Sequence, residues 1–308
     1  MSNSKSLNYY STPGNITKLN KYADFLSWLS DDPRVIFQVV QGLLIHDLWV
    51  KNFDIELNKK QMNEQNIAYM EDLLDKALEL SSLSLSAPRN PEKRVICCCR
   101  EFATLMCAIL RFKGIPARSR CGFATYFADN GFFDDHWICE YWNIEDNCWI
   151  MVDPQIDPFI QSTICMKGNP LNLTQQEFVT AGKAWKMCRS GEYNPVKFGI
   201  GCDPKLFGLE SLYGLWLVRG NLLRDFAALN KIETIPFLVR LDKGLTWDSW
   251  ELISKKDDDI TDEEMNLLDT IAELSISPDQ YFDEIQQFFN EEKRLQPPAN
   301  ILARYSKK

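Results

Sequence analysis

Only two histidines, His46 and His136, occur in 308 residues, so any chemistry that needs an imidazole is confined to two positions. Positive charge is short as well. The 34 basic and 43 acidic residues leave a formal charge of -9, which argues against nucleic acid or an anionic membrane surface as the main partner. No stretch approaches the roughly 20 apolar residues of a spanning helix, and the opening MSNSKSLNYYSTPGN lacks the apolar core of a secretory signal. A cytoplasmic protein is expected, in which the sequons at Asn15 and Asn172 carry no meaning. CxxC pairs are absent, and Cys97, Cys98 and Cys99 are contiguous. Adjacent residues seldom offer two side chains to one tetrahedral ion, so a zinc-binding thiol cluster is the weaker reading. EF-hand, P-loop and dinucleotide fingerprints are missing, and the expected cofactor complement is none.

What is present is a globular composition, 45% apolar, with ten cysteines expected to be thiols. Cys97, Cys98, Cys107, Cys121, Cys139 and Cys148 read first as small buried hydrophobes. Over the first ninety residues, PRVIFQVVQGLLIHDLW and NIAYMEDLLDKALEL carry apolar side chains at helical spacing. SAPRNPEKR then interrupts the pattern. CREFATLMCAILRFKG places Phe102, Leu105, Met106, Ile109 and Phe112 on one helical stripe, and Gly114 with Pro116 supplies the stop. Three strand-like stretches come next, PARSRCGFATYF, HWICEYW and CWIMVD, separated by the turn-forming DNG and NIEDN. Beyond Pro154 the chain reads as helical. Capping boxes stand at Thr174 to Glu177, Thr261 to Glu264 and Ser277 to Gln280, and LWLVRGNLLRDFAALNK forms a further helix. The expected organisation is a helical region over 1–90, an α+β core over 91–165 and a helical region over 166–308 packed on the core.

The core carries a candidate constellation. A cysteine in the first turn of a helix meets unpaired backbone N–H groups and the positive end of the helix dipole, which stabilise a thiolate. Cys99 is so placed, with Cys98 in that position if the helix begins one residue earlier. A partner imidazole comes from the start of HWICEYW, at His136. An acid that fixes its tautomer comes from Asp153, at the end of CWIMVD. If the two strands form a hairpin through an even loop such as Ile144 to Asn147, His136 and Asp153 share one face. Ile138 then lies opposite Asp153, with His136 diagonal to it.

CREFATLMCAILRFKGIPAR, DHWICEYW and WIMVDPQID together resemble the core of the transglutaminase-like superfamily over about residues 94–157. In that family the cysteine opens a helix, and the histidine and aspartate lie on successive antiparallel strands. The resemblance implies a papain-like triad, which by position is Cys99, His136 and Asp153. It departs from the usual pattern at Cys97, where a glycine is common, and at Glu101, where an aspartate is common. VVQGLLIHDLW and LWLVRGNLLRDFAALNK are similar to the flanks of a bacterial subgroup of about this length. The implied activity is acyl transfer or amide hydrolysis through an acyl-Cys intermediate. The donor would be a peptide, protein or small-molecule amide or thioester, and the acceptor an amine or water. The alternative is a catalytically silent scaffold that binds a partner in the same cleft.

The remaining candidates have plainer readings. His46 is expected to be a core or helix-end histidine with a satisfied ring, with catalysis the lesser reading, and serves as a control for mutagenesis. Trp137, Tyr141, Trp142 and Trp149 fit sheet packing. Oxyanion donors could be the Cys99 N–H, Gln41 or Tyr126. Arg219, Asn221 and Arg224 could hold a substrate anion, although a helix of salt-bridged arginines is the simpler reading.

Overall fold

The segment 99–112 forms the helix around which the molecule is assembled. The computed structural model describes residues 2–58, 61, 63–127, 131–200, 212–234, 240–241, 244–245 and 250–298. In chain order these include α1 (Ser2–Tyr10), α2 (Ala23–Trp28), α3 (Pro33–Leu43), β1 (Leu44–His46), α4 (Met70–Leu80), β2 (Val95–Cys97) and α5 (Cys99–Phe112). The sheet strands β3 (Ala117–Ala124), β4 (Phe133–Asn143) and β5 (Cys148–Val152) come next, then α6 (Pro158–Thr163), β6 (Phe178–Thr180), α7 (Ala181–Arg189) and β7 (Phe198–Gly199). The chain continues through α8 (Leu215–Leu229), α9 (Glu251–Ser254), α10 (Asp262–Ile276) and α11 (Phe282–Glu291). The fold is α+β, as expected.

The expected apolar stripe of α5 is buried, but so is every residue from Cys99 to Arg111. One cluster joins Phe102, Leu105, Met106 and Ile109 to residues of α3 and α4 on one side and to Ala117, Cys139 and Val152 of the sheet on the other. A helix covered on all sides must satisfy its polar residues internally. Arg111 Nη1 accordingly donates to Glu233 Oε1 at 2.8 Å, and Arg100 Nη1 donates to Glu101 Oε1 at 3.0 Å. Gly114, at φ +75°, ends the helix, and the Ile115 N–H closes back on Leu110 O at 2.9 Å.

The main sheet runs β5-β4-β3-β6, each neighbour antiparallel, with β7 added parallel to β4. Asn143 pairs with Cys148 and Cys139 with Val152, so the β4–β5 loop is Ile144 to Asn147, the even loop that puts His136 and Asp153 on one face. Asn147 takes the left-handed conformation, φ +52°, that asparagine tolerates in such turns. Of the DNG turn, residues 129 and 130 lie outside the described residues.

Three local expectations are corrected. PRVIFQVVQGL is helical, but the chain then extends, and Leu44, Ile45 and His46 pair in parallel with Val95, Ile96 and Cys97. A short apolar run does not by itself distinguish buried helix from buried strand, and here the distant VIC segment decides. The Thr174–Glu177 box forms its bonds, with the Thr174 N–H to Glu177 Oε2 at 2.8 Å, but it opens no helix. Phe178 and Val179 instead join β3 at the sheet edge. Ser277 to Gln280 closes a turn, and α11 starts at Phe282. The Thr261–Glu264 box does open α10.

Helices α7 to α11 pack around a second cluster that includes Phe123, Phe133 and Phe198 of the sheet. One polar tie between α8 and the sheet is Asp225, which is fully buried. Arg120 of β3 grips it bidentately, Nε to Oδ1 at 2.9 Å and Nη2 to Oδ2 at 2.8 Å, while the Cys121 N–H donates to Oδ1 at 2.9 Å. Removing one member of a buried ion pair strands the other. Asp225→Ala should therefore lower unfolding free energy by about 3–5 kcal/mol, and Asp225→Asn by less, as read from urea denaturation midpoints.

Candidate active site

Strand β2 delivers the chain to α5 so abruptly that Cys97 ends the strand, Cys98 caps the helix and Cys99 is its first residue. Glu101 closes the entry. Its Oε2 accepts the Cys98 backbone N–H at 3.0 Å and lies 3.0 Å from Cys98 Sγ. The acid two residues after Cys99 thus serves the helix cap, and its other oxygen is held by Arg100. Cys99 is 7% exposed, in a cluster with Ala103, Cys121, Trp137 and Ala228.

His136 and Asp153 converge on this point. His136 Nε2 lies 2.8 Å from Asp153 Oδ2. Asp153 accepts twice more, from Tyr126 O–H on Oδ2 at 2.5 Å and from the Gln155 N–H on Oδ1 at 3.0 Å. With Nε2 committed to the carboxylate, Nδ1 is left for Cys99, with which the ring is hydrogen-bonded. Phe127 stands edge-on to the imidazole, ring centres 5.0 Å apart, which restricts its rotation. The three residues that the sequence pattern nominates are therefore brought together.

The electrostatics divide the two adjacent thiols. Contact with the Cys98 thiol is the strongest influence holding Cys99 well below its ordinary value; burial opposes it, and both histidines reinforce it. The same contact, with burial and the Glu101 charge, pushes Cys98 well above. Of the pair, Cys99 is the thiolate. Burial, the largest influence on His136, pulls its pKa down, but Asp153 and the Cys99 sulfur outweigh it and raise it to about 10. Both directions favour an imidazolium next to a thiolate.

His46 is where the expectation fails. It lies at the end of β1 rather than in a helix, opposite Cys97 in the parallel pair, and its ring is hydrogen-bonded to Cys99. Its Nδ1 lies 2.9 Å from Asp47 Oδ1. Burial lowers its pKa, but Asp47 and Cys99 together carry it up to about 9. Both histidines of the chain thus meet one sulfur. The β1–β2 pairing that brings His46 there has a faint sequence signal, the apolar triplets LIH and VIC.

Other nominees are committed elsewhere. Gln41 Nε2 donates to Ile156 O at 2.9 Å, and the Tyr126 hydroxyl is spent on Asp153. Arg219, Asn221 and Arg224 are buried on α8. Arg219 holds Leu252 O at 2.7 Å and pairs with Asp257, Asn221 bonds Asp135, and Arg224 bonds Asn221 Oδ1 at 3.1 Å. These bonds mostly tie the helix to its neighbours and do not form a ready anion site. Trp137 is core, as expected, and Trp142 packs edge-on to Trp149 with ring centres 5.7 Å apart.

Residues 58–154 match the family model of the transglutaminase-like superfamily. No curated protein matches the chain. A crystal structure from Cytophaga hutchinsonii, described provisionally as a cysteine protease, is similar over 48% of this chain and 41% of that chain, with 16% identity and a TM-score of 0.32. The match spans less than half of that protein, and a superposition so loose carries no argument. No helix among the described residues is long and apolar enough to cross a membrane. The stretch that matches the transglutaminase-like superfamily model, residues 58–154, takes in the helix and strands that carry Cys99, His136 and Asp153.

Proposed function

We propose that this protein is a thiol enzyme that forms an acyl-Cys99 intermediate from an amide or thioester and passes the acyl group to an amine or to water. The observation that carries the reading is His136 bonded at Nε2 to Asp153, 2.8 Å away, and at the other face to a sulfur that opens a helix. Cys99 attacks the carbonyl carbon, and the C–S bond forms as the carbonyl π pair moves to oxygen. The intermediate collapses as the departing amine or thiolate takes the proton of His136. The neutral imidazole then accepts a proton from the incoming amine or water, which displaces the sulfur. Asp153 fixes the ring and favours its charged form. The substrate class expected is a peptide, protein or small-molecule acyl donor.

Brief treatment with iodoacetamide at pH 6, then peptide mapping, should modify Cys99 ahead of every other cysteine. His136→Ala should slow that modification on the order of tenfold or more, because the thiolate loses a cationic partner. Slow, indiscriminate labelling would instead favour the silent partner-binding scaffold.

The pH profile gives an independent check. A free thiol, with a pKa of about 8.5, gains reactivity roughly tenfold per pH unit below that value. Cys99, held well below it, should alkylate at a flat rate through neutrality and lose rate only as pH falls through its depressed pKa. Turnover has a second limit, because the leaving group needs the His136 proton. Activity should fall as pH rises through about 10.

A further inference from the structure

The acyl-transfer reading requires a donor for the oxyanion that forms when Cys99 attacks, and the side chains nominated for that role are already used. Gln41 Nε2 is on Ile156 O, and the Tyr126 hydroxyl is on Asp153. What stands beside the sulfur instead is a second imidazole backed by a second carboxylate. We propose that His46, held by Asp47, is a catalytic residue that shares the Cys99 thiolate with His136 and donates its Nε2–H to the oxyanion of the tetrahedral intermediate. The proposal rests on the triad reading and assigns to it a residue that lies outside the matched segment 58–154.

Geometry carries the argument. The parallel pairing of β1 with β2 sets His46 opposite Cys97, two residues before the nucleophile, and the Asp47 N–H donates to Cys97 O at 3.0 Å, which locks the corner. The ring is 8% exposed. Its Nδ1 is placed for either protonation state. It lies 2.9 Å from Asp47 Oδ1, the partner of an imidazolium, and 3.2 Å from the Leu48 N–H, the partner of a ring bearing its proton on Nε2. In both of those states Nε2 carries a proton towards the sulfur. His46 also lines a small pocket with Gln41, Trp49, Phe102 and Gln155.

The charged and titratable groups facing this ring are Asp47 on its own loop, Cys99 at the start of α5, Cys97 on the paired strand, and Arg94 with Asp157 across the pocket. Asp47 and Cys99 favour the imidazolium and raise it to about 9, so it is charged at neutral pH. On attack the negative charge moves from sulfur to the neighbouring carbonyl oxygen, and an Nε2–H that served the first can serve the second. His46 keeps its proton throughout. His136 alone gives one to the leaving group and recovers one from the acceptor, so the cycle balances.

Two reagents separate this role from mere support of the fold. Iodoacetamide displaces iodide at a saturated carbon and forms no oxyanion. p-Nitrophenyl acetate acylates Cys99 through one, and p-nitrophenolate departs with its electron pair, without needing the His136 proton. In His46→Ala, the ratio of acylation to alkylation rate at Cys99 should fall on the order of 10²–10³-fold, the range found when an oxyanion donor is removed. His46→Gln, which retains an N–H, should recover part of it. A misfolded fraction lowers both rates together and leaves the ratio unchanged. A ratio equal to wild type in both variants overturns the assignment of His46 while leaving the triad in place. A wild-type Cys99 that neither reagent modifies selectively overturns the triad reading, and the assignment with it.

Discussion

A negative sulfur nearly out of water is the constraint that organises this molecule. Moving an ion from water into a protein interior costs several kcal/mol even after relaxation, and Cys99 is 7% exposed. The surroundings offset that cost in separate ways. The first turn of α5 supplies the positive end of a helix dipole, Cys98 supplies a neutral polar neighbour, and His136 and His46 supply positive charge from two directions. Each imidazole is balanced by its own carboxylate, Asp153 or Asp47. The result is an alternation of charges, aspartate to imidazolium to thiolate to imidazolium to aspartate, in which each charge has a neighbour of opposite sign.

Two strand registers deliver that alternation, and neither tolerates a slip. In the β4–β5 hairpin a shift of one residue would turn Asp153 to the face away from His136, because side chains alternate with a period of two. In the β1–β2 pair, His46 reaches Cys99 because it lies opposite Cys97 rather than a residue earlier. The first register is set locally, by the four residues of the turn. The second depends on two three-residue strands from distant parts of the chain, and what fixes it is the burial of Leu44 and Val95 in the core around α5. The surroundings of Cys99 are therefore coupled to packing of the N-terminal helices.

The same distinction explains what the sequence discloses. The hairpin is legible because parity and turn length are local properties, and α5 is legible because its apolar spacing is strong and Gly114 marks its end. His46 is not, because nothing in LLIHDLW separates the last turn of a helix from a strand until VIC is known to lie alongside. The capping boxes show the limit from the other side. Thr174 with Glu177 and Thr261 with Glu264 make the same reciprocal bonds, yet only the second opens a helix, since Phe178 and Val179 find a place at the edge of β3. A cap signal states how a turn closes, and tertiary pairing decides whether a helix or a strand grows from it.

The choice between neighbouring thiols is decided by the same electrostatics. Cys98 and Cys99 differ by one residue, and the helix start alone would leave the nucleophile open to a shift of frame. Their surroundings do not. Cys98 sits at the cap, against the Glu101 carboxylate, where a second negative charge would be repelled by both Glu101 and the Cys99 sulfur. Cys99 faces two imidazoles and the open end of the helix. Two adjacent thiolates could not both persist in so little water. One must keep its proton, and the one beside the carboxylate keeps it, donating it to Glu101 Oε2 at 3.0 Å.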